Sequence, residues 1–103
     1  MIISFAYLSS IAGPRAIVDV RIEKVGCNGS FTNVTWSELR DKPTLKKIFL
    51  LFLKNKNSSD KYRYETTQEE WKRIREFINE KGKCFKINGT CLRIKYINAM
   101  FAD

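Results

Sequence analysis

The chain has 103 residues, 44% of them hydrophobic and 13% aromatic, enough for one core without a metal or a set of disulfides, so residues 1–103 are read as a single small globular domain. Nineteen Lys and Arg against eleven Asp and Glu give a net charge of +8, which favours anionic partners such as nucleic acid, acidic proteins or anionic lipid surfaces. The sequence contains no histidine, which removes Ser-His and Cys-His nucleophilic pairs and the usual base near neutral pH; no enzyme is expected and no catalytic residue is assigned.

In chain order, Ile2 to Leu8 is β-rich and apolar on both faces, as a central strand is, and Gly13-Pro14 closes it. The first twelve residues have the length and small-residue ending of a signal-peptide core but lack its positive start, so a retained first strand is the expectation. No apolar run reaches the length of a membrane span. In Ala16 to Val25, Val18, Val20 and Ile22 alternate with Asp19, Arg21 and Glu23, the pattern of a half-buried strand that would pair with the first run. Asn28-Gly29 signals a turn, and Phe31 to Thr35 a short strand.

Thr35-Trp-Ser-Glu38 has capping-box spacing and predicts a brief helix over residues 36–42, stopped by Pro43. Ile48 to Leu53 is apolar at six consecutive positions, too wide a stripe for a surface helix, so residues 46–54 are read as a strand buried on both faces. The polar cluster Asn55 to Asp60 reads as a loop before a strand over Lys61 to Thr66, with Tyr62 and Tyr64 on one face and Lys61, Arg63 and Glu65 on the other. Thr67 to Gly82 predicts the main helix: Thr67 and Glu70 have capping-box spacing, Trp71, Ile74, Phe77 and Ile78 form the apolar stripe, and Gly82 stands at the C′ position. Trp71 and Phe77 are core anchors in this reading, while Glu69, Glu70, Glu76 and Glu80 belong to a solvated face.

The strongest local signal is Asn88-Gly89 between two alternating runs, a type I′ hairpin over residues 83–97. A two-residue loop sets Ile87 opposite Thr90, Lys86 opposite Cys91, Phe85 opposite Leu92, Cys84 opposite Arg93 and Lys83 opposite Ile94. One face then carries Phe85, Ile87, Leu92, Ile94 and Tyr96, the other Cys84, Lys86, Cys91, Arg93, Lys95 and Ile97. Residues 98–103 are read as a short tail. The fold class is α+β: a mostly antiparallel twisted sheet of about five to seven short strands, the 67–82 helix packed on one face, and the C-terminal hairpin.

Three cysteines without Cys-x-x-Cys spacing suggest neither a disulfide framework nor a zinc site, and no metal or other cofactor is assigned. That count points to a reduced, intracellular and cytoplasmic protein; the register makes Cys84 and Cys91 diagonal neighbours, the pair to consider for a bridge. Between Lys81 and Ile97 stand five cations and no acid. The leading expectation is therefore a small basic protein that binds nucleic acid, DNA or RNA, through phosphate contacts from Lys83, Lys86, Arg93 and Lys95, joined by Lys61 and Arg63, with Tyr62, Tyr64 or Tyr96 stacking on bases only if exposed. The alternatives are an interaction module that forms a homodimer through open strand edges, and a secreted or virion-surface glycoprotein, since Asn28, Asn33, Asn57 and Asn88 head Asn-x-Ser/Thr sequons where roughly one is expected.

Overall fold

A computed structural model describes residues 14–54 and 59–102, which form five strands, two α-helices and a 3-10 turn. Strand β1 (Arg15–Val25) is the axis of the sheet: β3 (Ser59–Thr67) pairs antiparallel along one side and β5 (Thr90–Ala102) along the other. Beyond β5 lie β4 (Cys84–Ile87) and the two-residue β2 (Thr32–Asn33), giving the order β2-β4-β5-β1-β3. The sheet is mixed rather than wholly antiparallel, because β2 runs parallel to β4. The expected strand over residues 2–8 and its pairing with β1 lie outside the described residues, as does part of the expected 55–60 loop.

The hairpin has the predicted register, Ile87 opposite Thr90 through Cys84 opposite Arg93, and Ile94 N–H donates to the Lys83 carbonyl at 2.8 Å. Asn88 (φ 52°) and Gly89 (φ 80°) occupy the left-handed region that a type I′ turn demands of both central residues. The expected tail is different: β5 runs on to Ala102, because β1 offers partners as far back as Arg15.

Helix α1 (Pro43–Lys54) replaces the strand expected over 46–54. Leu45, Ile48, Phe49 and Phe52 recur at helical spacing and are buried, while Leu50 and Leu51 are exposed, so the six-residue apolar run covers two sides of a helix whose inner side alone is core. Pro43 opens this helix instead of closing the one before it, since a first-turn residue needs no amide donor and φ is already suitable. The preceding segment is only a 3-10 turn, Trp36–Leu39, in which the Glu38 carboxylate accepts from Thr35 N–H at 3.0 Å.

Helix α2 (Gln68–Lys81) follows its sequence signals: Thr67 Oγ1 accepts from Glu70 N–H at 3.1 Å, and Gly82 (φ 86°) ends the helix by donating its N–H to the Ile78 carbonyl. Both helices cover the same face of the sheet. Val18, Val20, Ile22, Phe85, Leu92 and Ile94 from the strands meet Phe49, Phe52, Trp71, Ile74 and Phe77 from the helices. Phe85 sits between Phe49 and Phe77, with ring centroids at 6.0 and 5.5 Å.

Candidate nucleic-acid interface

The sheet face turned away from the helices is built by strand alternation. β1 places Arg15, Ile17, Asp19, Arg21 and Glu23 there, β3 places Lys61, Arg63 and Glu65, β5 places Cys91, Arg93, Asn98 and Met100, and β4 places Cys84 and Lys86. With Lys95, whose Nζ lies 3.9 Å from a Glu23 carboxylate oxygen, the described residues of this face include seven cations and three carboxylates.

A β-bulge alters the face at its centre. Arg21 pairs with Tyr96 but Ile22 pairs with Ile94, so Lys95 is an extra residue in β5 and the alternation reverses beyond it. Tyr96, expected in the core, therefore lies opposite Arg21 on the outer face with 38% of its surface exposed, and Ile97, expected on the cationic face, lies opposite Val20 and packs on the core. A bulge consumes one residue without a partner, and no local signal in Arg93 to Ile97 marks where that happens.

Of the six predicted phosphate contacts, Lys61, Arg63, Lys86, Arg93 and Lys95 share this face. Lys83 precedes β4 and, by the same alternation, stands exposed on the Phe85 side at the rim. Lys61, Lys83 and Lys86 are exposed. Arg63 is bound to Asp19 through two parallel hydrogen bonds, 2.7 and 3.0 Å, and Arg93 donates from Nε to Glu23 at 2.9 Å as well as from Nη2. The acid-free stretch 81–97 thus meets its acids from β1, a neighbour that the one-dimensional charge pattern does not show.

These pairs set the titration of the carboxylates. The Arg63 hydrogen bond, set against desolvation and aided by the charges of Arg63 and Lys61, holds Asp19 below the ordinary carboxylate range; Arg93 does the same for Glu23, with Lys95 and Arg21 adding to it. Arg63 and Arg93 are raised in turn, through the same hydrogen bonds first. Both guanidiniums are held by carboxylates of β1, and every carboxylate on the face among the described residues is countered by a cation, since Glu65 pairs with Arg15 at 3.1 Å.

Tyr62 and Tyr64 point the other way. Tyr64 is buried at 5% exposure and Tyr62 packs half-buried against the core, which leaves neither ring for stacking. Burial, and then the negative charge of Glu70, push the Tyr64 hydroxyl well above its ordinary pKa.

A second cluster has the ingredients of a catalytic site but a structural role. Glu70, expected on the solvated face of α2, is 6% exposed, and its carboxylate accepts from Thr44 N–H at 2.9 Å, Thr44 Oγ1 at 2.8 Å and Thr66 Oγ1 at 2.7 Å. Three donors occupy it, one of them an amide in the first turn of α1, so Glu70 caps that helix from the neighbouring one. The adjoining cleft between α1 and β3, lined by Thr44, Ile48, Leu51 and Tyr64 among others, has about 40 Å³ of room, suited to water and not to a substrate. Among the described residues no cluster of three or more Cys, Asp or Glu side chains could hold a metal ion, and no helix is long and apolar enough to cross a membrane.

The cysteines depart from expectation. Cys27 and Cys91 form a disulfide, with Cα atoms 5.5 Å apart, and Cys84 is the free thiol, half-buried. The diagonal pair Cys84 and Cys91 is not the bridge, because the loop after β1 brings Cys27 over the outer end of β5, where Cys91 pairs with Val25. No family model, curated protein or solved structure matches this chain.

Proposed function

We propose that the chain binds nucleic acid along the outer face of the sheet, through phosphate contacts from Lys61, Lys86, Lys95 and Arg21 around the exposed ring of Tyr96. The observation that carries this reading is a face that no helix covers among the described residues, with seven cations and three countered carboxylates, on which a bulge turns an aromatic ring outward beside Arg21. A cationic strand surface with an exposed ring suits a single strand: the ring stacks on a base and the lysines track the backbone. The contacts invoked are to phosphates and to one stacked base, so binding is expected to be tolerant of sequence.

Titration of fluorescent single-stranded and duplex oligonucleotides across salt concentrations tests it. About four neutralised phosphates give a slope of log K on log salt of roughly −3 for a single strand. Tyr96→Ala is expected to weaken single-strand binding by about 1–3 kcal/mol with the slope retained, whereas Lys61→Glu and Lys86→Glu flatten the slope. Absence of binding at low salt, or binding unaffected by all three substitutions, rejects the reading.

A further inference from the structure

We propose that Asn28, Asn33 and Asn88 are N-glycosylation acceptors whose glycans gather at one end of the sheet, around the Cys27–Cys91 disulfide. All three head Asn-x-Ser/Thr sequons: Asn28-Gly-Ser30, Asn33-Val-Thr35 and Asn88-Gly-Thr90. All three are exposed, one in the loop after β1, one on the short edge strand β2 and one in the hairpin turn, so each offers room for a bulky substituent.

Their placement is concentrated. Asn33 pairs with Lys86, Asn88 follows Lys86 by two residues, and Asn28 follows Cys27, whose disulfide partner Cys91 faces Lys86 across the hairpin. The exposed Asn79 and Asn98 lie elsewhere and head no sequon, and the fourth sequon, at Asn57, lies outside the described residues. An independent observation agrees in kind: a structural disulfide forms and persists where the surroundings are oxidising, which is also where N-glycans are attached.

In the attachment, a transferase uses a lipid-linked oligosaccharide pyrophosphate as donor. The bond from the sugar C1 to the phosphate oxygen breaks, the C1–Nδ2 bond to asparagine forms, the lipid pyrophosphate leaves with the electron pair, and the amide proton passes to a base of the transferase. The glycan end lies about 20 Å from the Tyr96 ring, counting from Thr90 along β5 at about 3.3 Å per residue, but Lys86 of the proposed nucleic-acid face stands among the acceptors. Nucleic-acid binding is therefore measured on glycan-free protein from bacteria, so that the two readings fail separately.

The experiment expresses the full chain behind a cleavable secretory leader in cultured eukaryotic cells and maps peptides of the secreted, disulfide-bonded fraction after peptide N-glycosidase F in heavy-oxygen water. Labelled aspartate at two or three of positions 28, 33 and 88 is the expected result. Ser30→Ala, Asn33→Gln and Thr90→Val should each remove one glycan step on a gel wherever the corresponding site is labelled; these choices keep Asn88, which the turn needs at positive φ, and Thr35, whose amide Glu38 accepts from. Secreted protein with none or one of the three sites labelled, or no secreted protein at all, overturns the proposal.

Discussion

Glu23 decides how much of the cationic face is available, because it occupies Arg93 and lies within reach of Lys95 at 3.9 Å. Glu23→Gln is expected to free the Arg93 guanidinium and steepen the slope of log K on log salt by about 0.7–0.9, one further phosphate, with tighter binding at low salt. An unchanged slope would show that Arg93 never reaches the ligand. The same pairs fix the pH response. Asp19 and Glu23 are held below their ordinary values, so they stay ionised at neutral pH; their stabilising contribution is present above the unfolded-chain value and is lost as pH falls through the lowered folded value. Without histidine to titrate, nucleic-acid affinity is expected to be flat between about pH 5 and 8 and to rise only on further acidification, as the two arginines lose their carboxylates. Tyr64 offers a separate test: its hydroxyl is buried without a hydrogen-bond partner among the described residues, so Tyr64→Phe should leave the melting temperature unchanged or raise it by the equivalent of about 1 kcal/mol.

At the level of elements, Glu70 joins three of them: it sits on α2 and binds Thr44 of α1 and Thr66 of β3. Glu70→Ala leaves an α1 amide and two hydroxyls without acceptors in a buried site, and an unfolding curve in urea should show a loss of about 2–4 kcal/mol; Glu70→Gln, which keeps one oxygen acceptor, should lose less. A loss below about 0.5 kcal/mol in Glu70→Ala would mean that the cap is not formed in solution. This role was invisible in sequence, where Glu70 had only its capping-box position relative to Thr67, because Thr44, which supplies two of its three donors, is 26 residues away. What was legible is what local chemistry decides: the Asn88-Gly89 register, the alternation of Ala16 to Val25, and both ends of α2. The apolar run 48–53 misled because a long hydrophobic stretch fits a two-sided strand and a helix with a wide apolar stripe alike, and Leu50 and Leu51 are exposed against the usual rule. The candidate face was legible as charge and not as geometry: the cations came from sequence, but their acids and the bulge that exposes Tyr96 depend on which strand lies beside β5.

Across the whole molecule, the Cys27–Cys91 bond ties the exit of β1 to β5 across a sequence separation of 64, a span that contains both helices, β3 and β4. β1 and β5 are already neighbours through eleven paired positions, so the bond adds no new contact between elements. Its effect falls chiefly on the unfolded chain, where closing a loop of this size removes entropy corresponding to about 4 kcal/mol, an upper figure because real denatured chains keep residual structure. Cys27→Ser is therefore expected to lower the unfolding free energy by about 2–4 kcal/mol in urea and to leave the sheet spectrum of the native state unchanged. Wild-type protein with a reductant present throughout should fall to the same stability, whereas Cys84→Ser should differ little from wild type with or without reductant, since Cys84 is the free thiol. Cys91→Ser is the poorer probe: it puts a hydroxyl at a buried position and mixes packing with loss of the bond. If Cys27→Ser and reduction both leave the urea midpoint where it was, the bond contributes nothing in solution, and the argument from oxidising surroundings loses its support even if the sequons are occupied.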